Sequence, residues 1–178
     1  MSLNNYPTKD PVHIMVDLET WDTTSTAVIL SIGAVVIGAP DQECSQFYIE
    51  LDPRTQYMRT KSVDTMAWWE QQGNCPCNGT TSLVDALFQL REYLVKITAR
   101  PIIWCKGTDF DVAILAHAYG QMGTKTPWKY NDVRDFRTIK KMFGDSMIIT
   151  IENPQPHNAL ADAIFQAQQL NSIGLELK

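Results

Sequence analysis

The chain has 178 residues, of which 44% are apolar and 20% charged, with nine glycines and nine prolines. This composition indicates one globular domain and argues against a disordered or fibrous protein. The net charge of −5 does not favour nucleic-acid binding through overall positive charge, but it allows an enzyme that reaches phosphates through bound metal ions. No apolar run approaches the roughly 18 residues of a membrane span, so no membrane association is predicted.

The N-terminus and the cysteines bear on location. Residues 1–11 are polar and lack the apolar centre of a secretion signal, so we expect a disordered or tag-like segment before a single domain at 12–175.

The C-P-C spacing at 75–77 is too tight for the common zinc motif, and no histidine pair accompanies it. Reduced thiols and a cytoplasmic location are therefore expected. The cysteines are Cys44, Cys75, Cys77 and Cys105.

Three apolar segments near the start of the chain predict β-strands. They lie at 12–19, 28–38 and 44–51, separated by turn-like sequences. The order of strand and turn predicts a three-stranded antiparallel meander.

Helical patterns follow from residue 62 onward. Ser62 and Gly73 have the character of an N-cap and a C-terminal stop, and residues 82–97 show the three- and four-residue spacing of an amphipathic helix. Further predicted elements are a strand at 101–107, a helix at 110–123, a strand at 128–133, a basic helix at 134–144 and a last helix at 157–174. Strands that alternate with helices after a meander predict an α/β domain with a mixed sheet.

Asp17 and Glu19 lie two residues apart at the end of the first predicted strand, so their side chains project from the same face. Two like charges side by side are unfavourable unless a cation offsets them, and Mg²⁺ prefers carboxylate oxygens. The pair indicates a metal site, although a strand that simply ends with both acids in water is an alternative.

Asp111 begins the helix that follows the predicted strand at 101–107. Sites in α/β proteins gather at the C-terminal ends of strands, which makes Asp111 a candidate. The helix dipole alone also favours an acid in a first turn. Asp109, two residues earlier, has the character of an ordinary N-cap.

The segment HNALADA carries a histidine and an acid. Asp162 stands among alanines and other apolar residues of the last helix, where an unpaired acid is costly to bury. The small alanines would let this helix approach the sheet closely. His157 precedes the helix on a loop and is free to swing over a site, although a surface or capping role is an alternative.

These features occur in a characteristic order: D-x-E on a first strand, F-D after a later strand, and H-x-A-x-x-D-A on the last helix. The order and spacing resemble the DEDDh family of 3′–5′ exonucleases, through VDLET at 16–20, KGTDFD at 106–111 and HNALADA at 157–163. The WW pair at 68–69 and the form WCKGTDFD are similar to the branch of small 3′–5′ exoribonuclease-like proteins that includes phage exonucleases. The resemblance covers residues 12–172.

The resemblance implies a ribonuclease H-like fold, with a mixed sheet led by a three-strand antiparallel meander and helices on both faces. It implies a metal-dependent enzyme that releases nucleoside 5′-monophosphates from a free 3′ end of single-stranded or overhanging nucleic acid. Two divalent ions, Mg²⁺ or Mn²⁺, would be bound, and His157 would be the general base. By the same analogy Asp17 would bridge both ions, Glu19 and Asp162 would complete one site, and Asp111 would hold the other ion through water.

Substrate contacts follow from the resemblance rather than from spacing. Leu18 and Thr20 would touch the terminal nucleotide. Trp68 and Trp69 cannot both face inward on one helix, so one is expected in the core and the other on a base or in a dimer contact. Lys106–Gly107 stands where many relatives have His-Asn, which leaves a contact by an amide there in doubt. The aromatic residues predicted to bind substrate are Trp21, Trp69 and Phe110, although Phe110 is also a candidate for the core.

The segment 125–141 is basic, with six cationic and two acidic residues and hence a local charge of 6 − 2 = +4. Trp128 and Tyr130 are interleaved with these charges. The pattern fits a track for phosphates with stacking platforms, or a solvated helix face beside core aromatics.

Two classes of function are compatible with the sequence: the exonuclease, or a catalytically idle nucleic-acid-binding or oligomeric module that retains the fold. The idle alternative predicts the loss of one acid or of the histidine, and none is missing. RNA is slightly favoured over DNA, because the domain stands without a polymerase or helicase neighbour. A 2′-hydroxyl contact would decide between them, and a homodimer is a further expectation from the resemblance.

Overall fold

Five strands form one mixed sheet in the order β3-β2-β1-β4-β5 in the computed structural model, which describes residues 8–144 and 152–174. The strands β1, β2 and β3 are antiparallel neighbours, whereas β4 runs parallel to β1 and β5 runs parallel to β4. The predicted antiparallel meander in a mixed sheet is therefore confirmed. The strands are β1 (Thr8–Thr20), β2 (Ile29–Val36), β3 (Gln46–Glu50), β4 (Thr98–Cys105) and β5 (Val133–Asp135).

Five α-helices accompany the sheet within residues 8–144 and 152–174, with ends that follow local capping rules. Ser62 accepts a hydrogen bond from the backbone of the first turn of α1, and Gly73 ends that helix with a left-handed φ of 72°. None of the described helices is long and apolar enough to cross a membrane. The helices are α1 (Val63–Gln72), α2 (Leu83–Ile97), α3 (Asp111–Gln121), α4 (Phe136–Phe143) and α5 (Ala159–Ser172).

Helices cover both faces of the sheet, as predicted. Ile14, Val16 and Leu18 point to the face where the buried side chains of α2 and α3 pack. Met15 points to the opposite face, where α4 and α5 pack. Because side chains alternate along a strand, the next two odd positions of β1 face α5, and these are the acids Asp17 and Glu19.

The first strand is longer than predicted. It begins at Thr8, so residues 8–11, expected in a disordered or tag-like segment, belong to the sheet. The reason is the parallel neighbour β4, which offers backbone partners as early as Thr98, and Thr98 Oγ1 donates to Asp10 O at 2.7 Å. Residues 1–7 lie outside the described part of the chain.

The predicted strand at 128–133 is wrong. Residues 128–132 form turns with a buried Trp128, whose ring lies 5.9 Å from that of Tyr119, and only Val133–Asp135 is strand. Asp135 accepts a hydrogen bond from the first turn of α4, so the helix starts after it rather than at residue 134. The apolar signal in this segment came from core packing of one tryptophan and not from a strand pattern.

Candidate active site

Four carboxylates from three elements converge at the C-terminal end of β1. Asp17 and Glu19 come from the strand, Asp111 is the first residue of α3, and Asp162 lies in the first turn of α5. Asp111 is 3% exposed and its Oδ1 accepts a hydrogen bond from Leu18 N at 3.2 Å. The structure thus brings together all four acids that the sequence singled out.

Burial and mutual repulsion raise the pKa values of these acids. Burial, with a contribution from the charge of Asp162, raises the pKa of Asp17 to about 7. Burial and the charges of Asp17 and Asp162 raise the pKa of Glu19 to about 9. The pKa values of Asp111 and Asp162 are also raised, chiefly by burial. Without a cation the cluster therefore retains protons near neutral pH, and a divalent ion could take their place.

The donor atoms of this cluster fit a divalent metal ion. Glu19, His157 and Asp162 offer ligand atoms that all lie within 4.8 Å of one another. Carboxylate oxygens and an imidazole nitrogen are ligands that divalent ions accept. The charges of Asp17 and Asp111 act on the same cluster from the strand and from α3.

Gly33 decides how closely α5 approaches the acids of β1. It is paired with Asp17 across β1 and β2, and a Cβ atom at Gly33 would lie only 2.2 Å from the backbone of Ala159. The first turn of α5 therefore rests directly on the sheet, which places Asp162 beside the strand acids. Sequence reasoning missed Gly33, although a glycine inside a strand is a known sign of close backbone approach.

His157 stands on the loop before α5, as predicted, in an unusual backbone conformation. Its φ of 64° is in the left-handed region, which is rare for a residue other than glycine. His157 N donates to Asp162 Oδ2 at 2.8 Å, and Asn153 Nδ2 donates to Asp162 Oδ1 at 2.9 Å. These bonds hold both the loop and the carboxylate, so the imidazole position is tied to that of Asp162.

The two adjacent tryptophans of α1 have different roles. Trp69 is 2% exposed and its Nε1 donates to Thr20 O at 2.9 Å, so it supports the end of β1 from the core. Trp68 is 37% exposed, and its ring lies 4.8 Å from that of His157 at 90°. One tryptophan is in the core, as expected, but the predicted substrate contact of Trp69 is not supported by its burial. Trp68 is the one that offers surface to a ligand.

The side chains of Leu18 and Thr20 are withdrawn from the site. Leu18 is 4% exposed and packs in the core below α2 and α3, so it reaches the acids only through its backbone N–H. Thr20 is 5% exposed and its hydroxyl donates to Asp22 O at 2.6 Å. Because both side chains are buried, Leu18 and Thr20 could contact a nucleotide only through their backbone atoms.

Trp21 and Phe110 keep part of their surface open. The ammonium of Lys61 lies 4.9 Å from the centre of the Trp21 ring, a cation–π contact. Phe110 is partly buried against the core cluster under α2 and α3.

The basic segment 125–141 is divided between two ends of the sheet. A cavity of about 740 Å³ includes Lys125, Lys129 and Arg100 and lies at the start of β4, whereas the acids lie at the end of its parallel neighbour β1. Arg137 is at the other end, where its Nη2 donates to Lys106 O at 2.8 Å. The segment is thus not one continuous track that leads to the acids.

A second cavity borders the acids through His157. It measures about 770 Å³ and lies between the edge strand β3 and two loops, at 72–78 and 154–158. Its lining is polar and includes Tyr48, Glu50, Asn74 and Asn158.

The five-stranded mixed sheet with helices on both faces is the ribonuclease H-like fold that the sequence predicts. The family profile described as the 3′–5′ exoribonuclease Rv2179c-like domain matches residues 12–173. The chain belongs to this family. Among curated proteins, no sequence matches the chain.

Solved structures of exonuclease I share the fold. Escherichia coli exonuclease I in complex with a dA16 oligonucleotide superposes with a TM-score of 0.64 at 10% identity, over 92% of this chain and 40% of that one. The zinc-bound complex of E. coli exonuclease I with single-stranded DNA gives a TM-score of 0.66 at 11% identity, again over 92% and 40%. The chain thus spans about two fifths of the length of these proteins. At such low identity the likeness concerns the fold alone.

Proposed function

We propose that this protein is a metal-dependent 3′–5′ exonuclease that acts on single-stranded or 3′-overhanging nucleic acid, with RNA preferred to DNA. The observation that carries the proposal is the convergence of Asp17, Glu19, Asp111 and Asp162 with His157 at one end of the sheet. Family membership supports the activity and the preference for RNA. The oligonucleotides bound to exonuclease I support a nucleic-acid substrate.

The four carboxylates would hold two divalent ions, Mg²⁺ or Mn²⁺, in the proposed enzyme. Such ions neutralise the charge of a scissile phosphate and make a water molecule a better nucleophile. The acids are buried and adjacent, and the raised pKa values of Asp17 and Glu19 show how unfavourable their charges are without a cation. Binding of the metal would therefore displace protons from this cluster.

His157 would act as the general base. It takes a proton from the water that attacks the terminal phosphodiester, and an imidazole can do so at neutral pH. The new P–O bond forms as the bond to the 3′-oxygen breaks, and that oxygen takes up a proton from solvent water as it leaves. The product is a nucleoside 5′-monophosphate. The ring of Trp68, 4.8 Å away, limits where the imidazole can lie.

The cavity that borders His157 is the proposed place for the nucleotide that is released. Its volume of about 770 Å³ is within the range usual for small-molecule pockets, about 300–1,000 Å³. Amide side chains in its lining could bond to base edges.

An assay with matched substrates tests the proposal. End-labelled RNA and DNA of one sequence, single-stranded and with 3′ overhangs, are incubated with Mg²⁺, Mn²⁺ or chelator. We expect stepwise shortening from the 3′ end that requires metal and is faster on RNA. Asp17→Ala should abolish shortening in a protein that still unfolds cooperatively. A variant with the full rate would refute the assignment, and no shortening of any substrate by the unaltered protein would favour an idle binding module.

His157→Ala tests the general base separately. Removal of a general base lowers the rate by about 10²–10⁴-fold, and the loss should shrink at high pH, where hydroxide can replace the base. The measurement is the single-turnover rate against pH with the preferred RNA. A rate within a few-fold of the unaltered protein would show that another group takes the proton.

The homodimer and the cytoplasmic location remain predictions. Sedimentation of the purified chain at several concentrations measures its mass in solution and so tests for the homodimer. A single species with the mass of one chain at all of them would contradict it.

A further inference from the structure

Gln166 is a buried polar residue on α5 that faces the acid cluster. It lies one helical turn after Asp162, so both side chains point to the same side of the helix. The residue is 4% exposed, and its Nε2 donates to Asp17 Oδ1 at 2.8 Å. One helix thus supplies both an acid of the cluster and a neutral donor to a second acid.

The amide oxygen of Gln166 makes no stabilising contact in the described part of the chain. Its Oε1 is buried and has no hydrogen-bond partner among the residues the structure describes. A buried carbonyl without a partner is unfavourable, and an apolar side chain of similar size would avoid this cost. Its neighbours on the helix, Ala163, Ala167 and Leu170, are apolar core residues. The amide is therefore present at the expense of packing stability.

The hydrogen bond limits what Asp17 can do. With Oδ1 engaged by the amide of Gln166, the rotation of the carboxylate is restricted. An amide donor carries no positive charge, so it orients the carboxylate without competing with a bound cation. A lysine or an arginine at the same position would compete with that cation. Outer groups that orient metal ligands commonly set metal affinity.

We infer that Gln166 is a positioning residue that orients the Asp17 carboxylate for metal binding. The inference rests on the proposed function, in which Asp17 is a metal ligand. It assigns to α5 a second role besides supplying Asp162. Since Gly33 lets α5 lie on the sheet, the same close approach brings Gln166 within reach of Asp17.

The test compares Mn²⁺ affinity and stability in four proteins: the unaltered chain, Gln166→Leu, Gln166→Met and the control Gln169→Leu. Gln169 is also buried on α5 but lies about 10 Å farther along the helix than Asp162, at about 1.5 Å per residue. Mn²⁺ binding is measured by calorimetry, and thermal unfolding is measured in chelator. We expect both Gln166 variants to bind Mn²⁺ about 10–100-fold more weakly while their melting temperatures in chelator are equal or higher. Gln169→Leu should keep the unaltered affinity.

Each outcome decides one point. Unchanged Mn²⁺ affinity in both Gln166 variants would overturn the inference and leave the proposed function standing. A loss of cooperative unfolding in both would show that Gln166 is structural, which also overturns the inference. An equal loss of affinity in Gln169→Leu would trace the effect to the helix rather than to the amide. Absence of Mn²⁺ binding in the unaltered chain would refute the proposed metal site itself.

Discussion

At the scale of a single residue, Asp111 illustrates how unfavourable an ionised carboxylate is in the acid cluster. The side chain is 3% exposed, and its pKa is raised by burial and by the charge of Asp17. Hydrogen bonds from Leu18 N and from its own backbone N–H offset this rise only in part. Such a group lowers the free energy of unfolding when it is ionised without a counter-charge. In the proposed enzyme, Asp111 would therefore contribute to metal binding and not to stability.

Asp111→Asn should separate these two effects. The amide keeps the shape and the acceptor for Leu18 N but loses the charge, so the exonuclease rate should fall by about 10²-fold or more, equivalent to several kcal/mol of transition-state stabilisation. The melting temperature in chelator at pH 8 should rise, because one repelling charge is gone.

Asp109→Asn is the matched control for this change. Asp109 is exposed and does not cap α3, whose N-cap is Phe110 without a side-chain hydrogen bond. Its rate should stay within a few-fold of the unaltered protein. A collapse of the rate in Asp109→Asn with an active Asp111→Asn would show that the other aspartate of the KGTDFD segment is the functional one.

At the scale of elements, the contact between β2 and α5 sets the geometry of the site. The start of α5 lies on Gly33 with no room for a side chain, and Asn158 caps the helix by accepting a hydrogen bond from Ala161 N at 3.0 Å. This packing, together with the hydrogen bond from Gln166 of α5 to Asp17, fixes the acid on α5 relative to the acids on β1. A small shift of the helix would therefore separate them.

Gly33→Ala should displace α5 from the sheet. Overpacking of this kind costs typically about 1–3 kcal/mol, so we expect a lower melting temperature together with weaker Mn²⁺ binding. Gly38→Ala is the control, because a Cβ atom there meets nothing within 4 Å. Equal behaviour of the two variants in thermal unfolding and in calorimetry would contradict the role of Gly33.

At the scale of the whole molecule, the acid cluster makes stability depend on pH. The pKa of Glu19 is about 9 and that of Asp17 about 7 in the folded protein, both above their unfolded values. Below pH 4 both states are protonated and there is no penalty. As pH rises from about 4 to 9, the unfolded state loses protons first and gains stability relative to the folded state.

The metal-free protein should therefore lose several kcal/mol of unfolding free energy between pH 5 and pH 9, measured by urea denaturation in chelator. Excess Mg²⁺ should remove most of this slope, because it stabilises the ionised cluster. Glu19→Gln should reduce the slope without metal, whereas the exposed Glu43→Gln should not. Arginine partners lower the pKa values of Asp52 and Asp132. These two acids therefore stabilise the folded protein when ionised, and this contribution is lost only as the pH falls below about 4. A flat profile in chelator would contradict the burial of these charges.

Much of this molecule was predictable because the signals are local. The alternating and apolar runs identified the meander, and the spacing of Ser62 and Gly73 identified α1, since capping involves residues near in sequence. The acids were identifiable because Asp and Glu are disfavoured inside strands and on apolar helix faces, so Asp17, Glu19 and Asp162 stood out against their neighbours. For the same reason the match to a known order of motifs was specific.

By itself the sequence predicted the fold class, which the structure confirms, and it singled out the acids and the histidine as candidates, because each leaves a mark on its own segment. Only the tertiary structure decided which tryptophan is buried, that Leu18 and Thr20 turn away from the site, and that the basic segment is split between two ends of the sheet. It alone revealed Gly33 and Gln166, whose roles depend on partners 126 and 149 positions away along the chain, at Ala159 and Asp17. Such contacts arise from how α5 packs on the sheet. Gly33 and the alanines of α5 are local signs of a close approach, but they do not identify which residues meet.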